Sequence, residues 1–197
     1  KSGATAMVTV NVTVAGRNDA PTLASVSPLA GGVEDTPFTI AYTTLVAASD
    51  ATDPNGSPIS FRVESVTTGT LAKNGASVIP GITLLGFGES WVWTPVANAH
   101  GILNAFRIKA WNGSLTSDTV VQVQVIVATV NDGPTISRIA DQISDEDTST
   151  SVIAFTVGDV ETAADALTLT ASSSNPTLTP GGNIIFGGRG TNRTVAI

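Results

Sequence analysis

Carboxylate and amide oxygens, rather than nucleophiles, are the chemical groups that this sequence offers in quantity. It has 16 acidic against 9 basic residues, a net charge of −7, and no cysteine. Without thiols it can form neither disulfides nor a thiolate metal site, so the acidic excess indicates a cation as the brace for its domains. Residues 50–56 form one such acidic loop. The same charge excludes binding to nucleic-acid backbones, which requires clustered basic residues.

One acidic motif occurs twice. Asn18-Asp19-Ala20-Pro21-Thr22, the first junction, returns as Asn131-Asp132-Gly133-Pro134-Thr135, the second junction, in a register of 113 residues from position 18 to position 131. Four alternating valines precede each copy, namely Val8, Val10, Val12 and Val14 before the first and Val121, Val123, Val125 and Val127 before the second. The tripeptide Glu-Asp-Thr follows each copy, as Glu34-Asp35-Thr36 and as Glu146-Asp147-Thr148. Features that recur in one order and in nearly constant register indicate an internal repeat.

The elements between the two junctions must be strands. Apolar residues alternate with period two, which predicts strands over residues 38–42, 59–66, 91–95, 105–111 and 119–127. Asn74-Gly75 predicts a hairpin over residues 70–79, because this pair suits the two positive φ angles of a type I′ turn. Seven or so short strands without helical periodicity predict an all-β fold, an antiparallel β-sandwich of immunoglobulin-like type.

The repeat also divides the chain. Residues 1–17, with a strand over 6–14, are predicted to be the last strand of a preceding repeat, and residues 18–130 a complete sandwich. Residues 131–197 are predicted to start a further repeat without its last strands, with strands over 152–157, 167–171, 184–186 and 194–197. Two explanations stay open. The chain is a window cut from a longer one, or the strand of one copy completes the next copy head to tail by strand addition.

Several motifs together resemble the tandem cadherin-like and immunoglobulin-like repeats of large bacterial surface proteins, of adhesin or filament type. They are the Asn-Asp junction with a later Glu-Asp-Thr, Trp93-Thr94-Pro95 with Ala97-Asn98-Ala99 and Gly101, and the turn Trp111-Asn112-Gly113. The resemblance covers essentially the whole chain. It implies an extracellular segment, secreted or on the bacterial cell surface, with neighbouring repeats as partners and Ca²⁺ bound where one domain meets the next.

Carried onto this sequence, the resemblance implies two calcium sites. The site at the second junction would use Asn131, Asp132, Glu34, Asp159 and Glu161. The site at the first junction would use Asn18, Asp19, Asp50 and Asp53, and the Glu that the preceding domain would contribute lies outside the sequence. Asn112 holds a loop position that is often Asp, and Asp35 and Asp147 are expected to face solvent beside the ligating Glu. The plain alternative for every acidic loop is a solvated turn, because Asp and Asn favour turns without a metal.

The predicted function is mechanical and not enzymatic. His100 is the only histidine and lies in a loop motif, so a general base is not expected. Ca²⁺ would stiffen the junctions of a spacer or filament body, and the absence of an apolar run of 18 or more residues predicts no membrane insertion in this segment.

Two rival functions stay open. Trp91 and Trp93 share one face of a predicted strand and could stack on a sugar. Binding through this face or through the loops would make this a carbohydrate- or cell-binding adhesin module with a glycan as partner. The other rival is an accessory domain of a secreted hydrolase.

Overall fold

The computed structural model describes residues 2–145 and 147–197, so Glu146 of the second Glu-Asp-Thr copy lies outside the described residues. The architecture is all-β, as predicted, and forms two units. The elements are β1 (Leu29–Val33), β2 (Phe38–Ala41), α1 (Tyr42–Ala48), β3 (Ser60–Val66), β4 (Thr70–Lys73), β5 (Ala76–Ser77), β6 (Leu84–Leu85), β7 (Ser90–Thr94), β8 (Gly101–Trp111), β9 (Val121–Ala128), β10 (Thr135–Ile136), β11 (Ile153–Gly158), β12 (Ile185–Arg189) and β13 (Asn192–Ala196), with 3-10 turns at Ala164–Ala166 and Gly181–Asn183.

The first unit is a sandwich of two sheets. One sheet has the order β1-β9-β8-β3-β6 and the other has the order β2-β7-β4-β5. Alternate side chains of both sheets fill the space between them, and Phe61, Trp91 and Phe106 are fully buried there. Trp91 meets Phe106 edge to face, with ring centroids 5.5 Å apart, so this pair joins the two sheets through the core. The predicted antiparallel immunoglobulin-like sandwich is therefore confirmed.

The tryptophan pair belongs to this core and not to the surface. Trp91 and Trp93 are both 0% exposed. Trp93 Nε1 donates a hydrogen bond to the carbonyl oxygen of Thr68 at 2.8 Å, which satisfies its one polar group. Neither ring has a free face for a sugar, so the prediction that this pair stacks on a carbohydrate is wrong.

The turn of the β4–β5 hairpin was predicted correctly, whereas the helix α1 and the strands β1, β6 and β10 were not predicted. Asn74 and Gly75 have φ angles of 53° and 80°, as a type I′ turn requires. The helix α1 is too short to show a helical period, and it buries only Leu45. Strand β1 has the weak strand sequence Leu-Ala-Gly-Gly-Val.

The close approach of β1 to β9 explains why β1 contains glycines that weaken its strand sequence. It pairs in parallel with β9, whereas every other strand pair is antiparallel. A Cβ added at Gly32 would lie 2.9 Å from Val125 Cγ1 and 3.0 Å from the Ile126 carbonyl oxygen. A side chain at this position would force the strands apart, so the glycine that weakens the strand signal is what permits the pairing.

The second unit has a single sheet with the order β10-β11-β13-β12. Its small core consists of Phe155, Val157 and Val195 with partly buried neighbours that include Leu167 and Leu169. The prediction of a strand over residues 167–171 is wrong. Strand β3, at the same place in the order of the first unit, pairs with β8. The described residues of 131–197 supply no strand in the place of β8, so this segment packs without a ladder partner.

The strand predicted over residues 6–14 is likewise absent, because residues 2–20 carry no helix or strand. Val8, Val10, Val12 and Val14 are 76–85% exposed. The matching valines of β9 are at most 7% exposed, since β8 and β1 flank that strand. The same pattern thus forms a strand only where neighbours pair with it. The domain boundaries and the strand addition stay predictions. None of the helices in the described ranges is long and apolar enough to cross a membrane.

Candidate metal site at the second junction

Parallel pairing of β1 with β9 positions the part of the site that comes from the first unit. The two strands run in the same direction and end at the same edge, with Val33 opposite Ala128. Glu34 follows β1, and its N–H donates to the Ala128 carbonyl oxygen at 3.0 Å. The Glu34 carboxylate in turn accepts a hydrogen bond from the N–H of Val130. The residue after β1 is therefore fixed beside the segment that leaves β9 toward the second unit.

Antiparallel pairing of β10 with β11 positions the part of the site that comes from the second unit. Thr135 pairs with Gly158, so the residues after β11 lie beside those before β10. Asp159 Oδ1 accepts the N–H groups of Glu161 and Thr162 at 3.1 and 2.7 Å, which forms a tight turn. That turn directs Glu161 back to the junction, where its Oε2 accepts the N–H of Asp132 at 2.9 Å.

The two parts bring three carboxylates together. One ligand oxygen from each of Glu34, Asp132 and Glu161 lies within 4.8 Å of the other two, and within the described ranges this is the one such group of acidic, His or Cys residues. Oxygens that bind a common Ca²⁺ at about 2.4 Å are at most about 4.8 Å apart. The spacing therefore fits a shared hard cation, with one ligand from the first unit, one from the junction and one from the second unit.

Glu34 is the most unusual member of the group. It is only 1% exposed, and a buried carboxylate is costly unless a counter-charge or hydrogen bonds compensate it. Besides the Val130 N–H, its partner is His100, whose Nδ1 lies 3.3 Å from Glu34 Oε2. Within the described ranges no lysine or arginine forms an ion pair with it. Its compensation in that part of the chain is one backbone N–H and the contact with the His100 ring.

The other two carboxylates each have an oxygen without a partner. Asp132 Oδ2 and Glu161 Oε1 are buried and form no hydrogen bond. Burial raises the pKa of Asp132 above its ordinary value, and the negative charges of Glu161, Asp35, Glu34 and Asp159 raise it further. Asp132 thus lies in a field that disfavours its own charge, which is the environment that a bound cation would reverse.

Of the residues predicted for this junction, the structure brings Glu34, Asp132 and Glu161 into direct proximity. Asp159 lies behind Glu161 in the turn, and the exposed Asn131 donates its side-chain N–H to the Asp132 carbonyl oxygen at 2.8 Å. His100 was missed, because nothing in the spacing connects position 100 with position 34. Asp35 is exposed, as predicted, and its carboxylate accepts the Asn98 N–H at 2.9 Å.

The residues predicted for the first junction have other partners. Asp50 accepts the N–H groups of Ala24 and Ser25 at 2.9 and 3.0 Å and the Ser25 hydroxyl at 2.9 Å. The N–H of Ser25, then that of Ala24, lowers the pKa of Asp50, so this carboxylate anchors the segment after the junction. Within the described ranges, Asp19, Asp50 and Asp53 are not brought together as a three-carboxylate group.

Comparisons with known proteins bear on the first unit. A family of domains described as "Bacterial Ig domain" matches residues 18–125. No curated protein matches the chain. Among solved structures, the titin domains Z1Z2 in complex with telethonin share 12% identity over 92% of this chain and 83% of that chain, with a TM-score of 0.30. A chimeric titin Z1Z2 carrying a decorin peptide shares 13% identity over the same proportions, with a TM-score of 0.28. At such low scores these two similarities carry no argument.

Proposed function

The chain belongs to the bacterial Ig domain family, and from that premise we propose that it is a load-bearing segment of an extracellular protein in which Ca²⁺ at the second junction holds the two units at a fixed angle. Domains of this family are typically extracellular or at the cell surface, and typically not enzymes. A structural role needs a defined junction between successive domains more than it needs a pocket.

The observation that carries the proposal is the three-carboxylate group with its unpartnered oxygens. Glu34 extends from the first unit, Glu161 extends from the second, and Asp132 lies between them. Three like charges at this spacing repel one another and drive the units apart. A divalent cation between them replaces the repulsion with attraction and ties both units to the same ion.

The donor set suits Ca²⁺ better than a softer metal. Ca²⁺ takes six to eight oxygens, from carboxylates, carbonyls and water, in flexible geometry. Glu34, Asp132 and Glu161 supply the anionic oxygens, and Asp159 and Asn131 offer further oxygens close by. The sequence has no cysteine, which removes the ligand that most favours zinc. The cation's role here is to neutralise charge and fix geometry, with no catalytic step.

Interdomain distances measured by pulsed electron paramagnetic resonance test this function. Because the chain has no cysteine, Ser77→Cys and Thr156→Cys introduce one spin label at an exposed strand position in each unit. With chelator we expect a broad distance distribution between the labels. Millimolar Ca²⁺ should narrow it to a single peak, because the ion removes the repulsion that lets the junction vary.

The doubly substituted protein Asp132→Asn, Glu161→Gln is the matched control, since it keeps the size of both side chains and removes two charges. Its distance distribution should be the same with Ca²⁺ and with chelator. A wild-type distribution that does not respond to Ca²⁺ would contradict the proposed function. So would equal narrowing of the wild-type and control distributions.

A further inference from the structure

The two junctions share one backbone plan and differ in the residue that accepts the N–H of the junction aspartate. At the first junction Thr22 pairs with Thr52, as Thr135 pairs with Gly158 at the second. The N–H of Asp19 donates to Asn55 Oδ1 at 2.6 Å, whereas the equivalent N–H of Asp132 donates to Glu161 Oε2 at 2.9 Å. Asn55 therefore stands where the second junction has a carboxylate.

The carboxylate turns correspond as well. Asp53 follows Thr52 and accepts the N–H groups of Asn55 and Ser57 at 3.0 and 2.9 Å. Asp159 follows Gly158 and accepts two N–H groups in the same way. Each Asp thus uses one oxygen to close its own turn. The two junctions differ in what surrounds these aspartates.

At the first junction the side chain of Asn112 occupies the centre. Its Nδ2 donates to Asp53 Oδ2 at 2.8 Å and to the Asp19 carbonyl oxygen at 2.7 Å, and it lies 3.4 Å from Asn18 Oδ1. Three oxygens, two from the junction and one from the turn after Thr52, therefore converge on one nitrogen. At the second junction the carbonyl oxygen of Asp132, the counterpart of that of Asp19, accepts the side-chain N–H of Asn131 at 2.8 Å, and Asp132 Oδ2 and Glu161 Oε1 have no partner.

The orientation of the Asn112 amide is determined by its neighbours. Its Oδ1 accepts the N–H groups of Ser114 at 3.2 Å and Leu115 at 2.9 Å. A flipped amide would place N–H groups against both of these donors and an oxygen against Asp53. The amide must therefore present its two N–H groups to the junction, and it cannot serve there as a carbonyl ligand for a cation.

From these contacts we propose that Asn112 is a built-in substitute for a metal ion, whose amide holds residues 18 and 19 on the sandwich so that the first junction keeps its geometry without Ca²⁺. The proposal concerns the contacts of residues 18–112 and does not depend on whether the second junction binds Ca²⁺.

The charge state of Asp53 agrees with this role. The hydrogen bond from Asn112 is the first cause that lowers the pKa of Asp53, followed by the N–H of Ser57. Asp132 at the second junction shifts in the opposite direction, because burial and like charges act on it without a donor for Oδ2. The negative charge of Asp53 is thus stabilised, whereas that of Asp132 is disfavoured.

Hydrogen exchange of the full chain with Asn112→Asp tests the proposal. Asp keeps an oxygen for the N–H groups of Ser114 and Leu115, but it replaces the two N–H donors with a carboxylate oxygen that faces the three oxygens of residues 18, 19 and 53. In wild-type protein, exchange of the Asp19 and Thr22 amides should be equal with chelator and with millimolar Ca²⁺. In the variant, we expect about tenfold faster exchange with chelator, the factor for losing one to two net hydrogen bonds, and recovery with Ca²⁺.

Two further variants complete the design. Asn74→Asp makes the same change in the exposed β4–β5 turn, where Asp-Gly suits the turn equally well, and should leave the exchange of both amides at wild-type rates. Asn112→Ala removes the donor without adding charge, so exchange should be faster with or without Ca²⁺. Wild-type protection that is lost with chelator would overturn the proposal, as would wild-type rates in both Asn112 variants. Amides near Asp132 and Glu161 report separately on the second junction.

Discussion

The groups around each aspartate determine the pKa of its carboxyl group at these junctions. Asp53 lies in the turn after Thr52, and Asp132 lies in the second junction itself; the pKa of the first is lowered and the pKa of the second is raised. An amide donor accounts for the first shift. Burial, together with the nearby charges of Glu161, Asp35, Glu34 and Asp159, accounts for the second. The unfavourable charge at Asp132 makes the metal-free protein less stable than its backbone and core would allow.

A substitution that removes the charge of Asp132 should change the melting temperature in opposite directions with and without the cation. With chelator at neutral pH, Asp132→Asn should melt at a higher temperature than wild type, because repulsion is relieved. With Ca²⁺ the order should reverse, since wild-type protein gains about 2.7 kcal/mol at a hundredfold excess of ligand over Kd and the variant gains little. Thermal unfolding of both proteins under both conditions measures this crossover.

The control uses pH and a second carboxyl group. A raised pKa in the folded state means that the penalty exists above the raised value and disappears as pH falls toward the ordinary carboxyl pKa, where both states are protonated. The advantage of Asp132→Asn with chelator should therefore vanish at acidic pH. Asp118→Asn removes the same charge at an exposed loop position and should show no crossover. A variant less stable than wild type with chelator at neutral pH would disprove the charge argument.

Strand pairing is what converts residues distant in sequence into a site. Glu34 reaches Asp132 because β1 and β9 are parallel and end at the same edge. Glu161 reaches it because β10 and β11 are antiparallel, with the start of one beside the end of the other. Each pairing contributes one carboxylate, so a small shift of either strand changes the distances among all three.

Gly32 gives a test of this positioning away from the carboxylates. In Gly32→Ala the new Cβ would lie 2.9 Å from Val125 Cγ1, so β1 must move off β9 and carry Glu34 with it. We expect a loss of about 1–3 kcal/mol of unfolding free energy, the usual cost of overpacking, together with weaker Ca²⁺ binding. Denaturant unfolding and calcium titration measure the two effects.

Gly182→Ala is the matched control, because an added Cβ there meets nothing within 4 Å. It should leave both quantities near their wild-type values. If Gly32→Ala bound Ca²⁺ as wild type does, Glu34 would not depend on the position of β1, and the account of how the strands build the site would be wrong.

The sequence predicted the fold well where local pattern and pairing agree. Alternation located most strands of the first unit, and Asn74-Gly75 located a hairpin turn. The period-two pattern did not predict β1, because the glycines of that strand permit a close approach to β9 that the sequence alone does not show. It wrongly predicted strands at 6–14 and 167–171, which have strand-like sequences but no pairing partner among the described residues. Period-two alternation reports which face a strand would bury, and pairing is a property of the rest of the sheet.

The candidate site was predictable in outline because the junction motif repeats. Its acidic residues stood out in the repeat, and family resemblance connected Glu34, Asp132 and Glu161. The repeat could not reveal how the Asn112 amide is oriented at the first junction. Ser114 and Leu115 set that orientation through contacts visible only in three dimensions.

At the scale of the whole molecule, the junctions decide how the units transmit force. The units are joined through residues 129–134, in which Pro134 has a fixed φ angle and restrains Gly133. Three carboxylates flank this short connection, and a cation among them would make the connection stiff. A chain of such units would be rigid where Ca²⁺ is abundant, as it is outside cells, and flexible where Ca²⁺ is removed. Head-to-tail strand addition through residues 6–14 stays a separate prediction.

Calorimetric titration of the full chain with Ca²⁺ tests the central claim most directly, because it counts ions. We expect one Ca²⁺ per wild-type chain, since the second junction binds an ion and the Asn112 amide takes its place at the first. The Asp132→Asn, Glu161→Gln protein should bind none in the same range, while Asp118→Asn should bind one. Absence of binding by wild-type protein at millimolar Ca²⁺, or undiminished binding by the double variant, would contradict a calcium site among Glu34, Asp132 and Glu161.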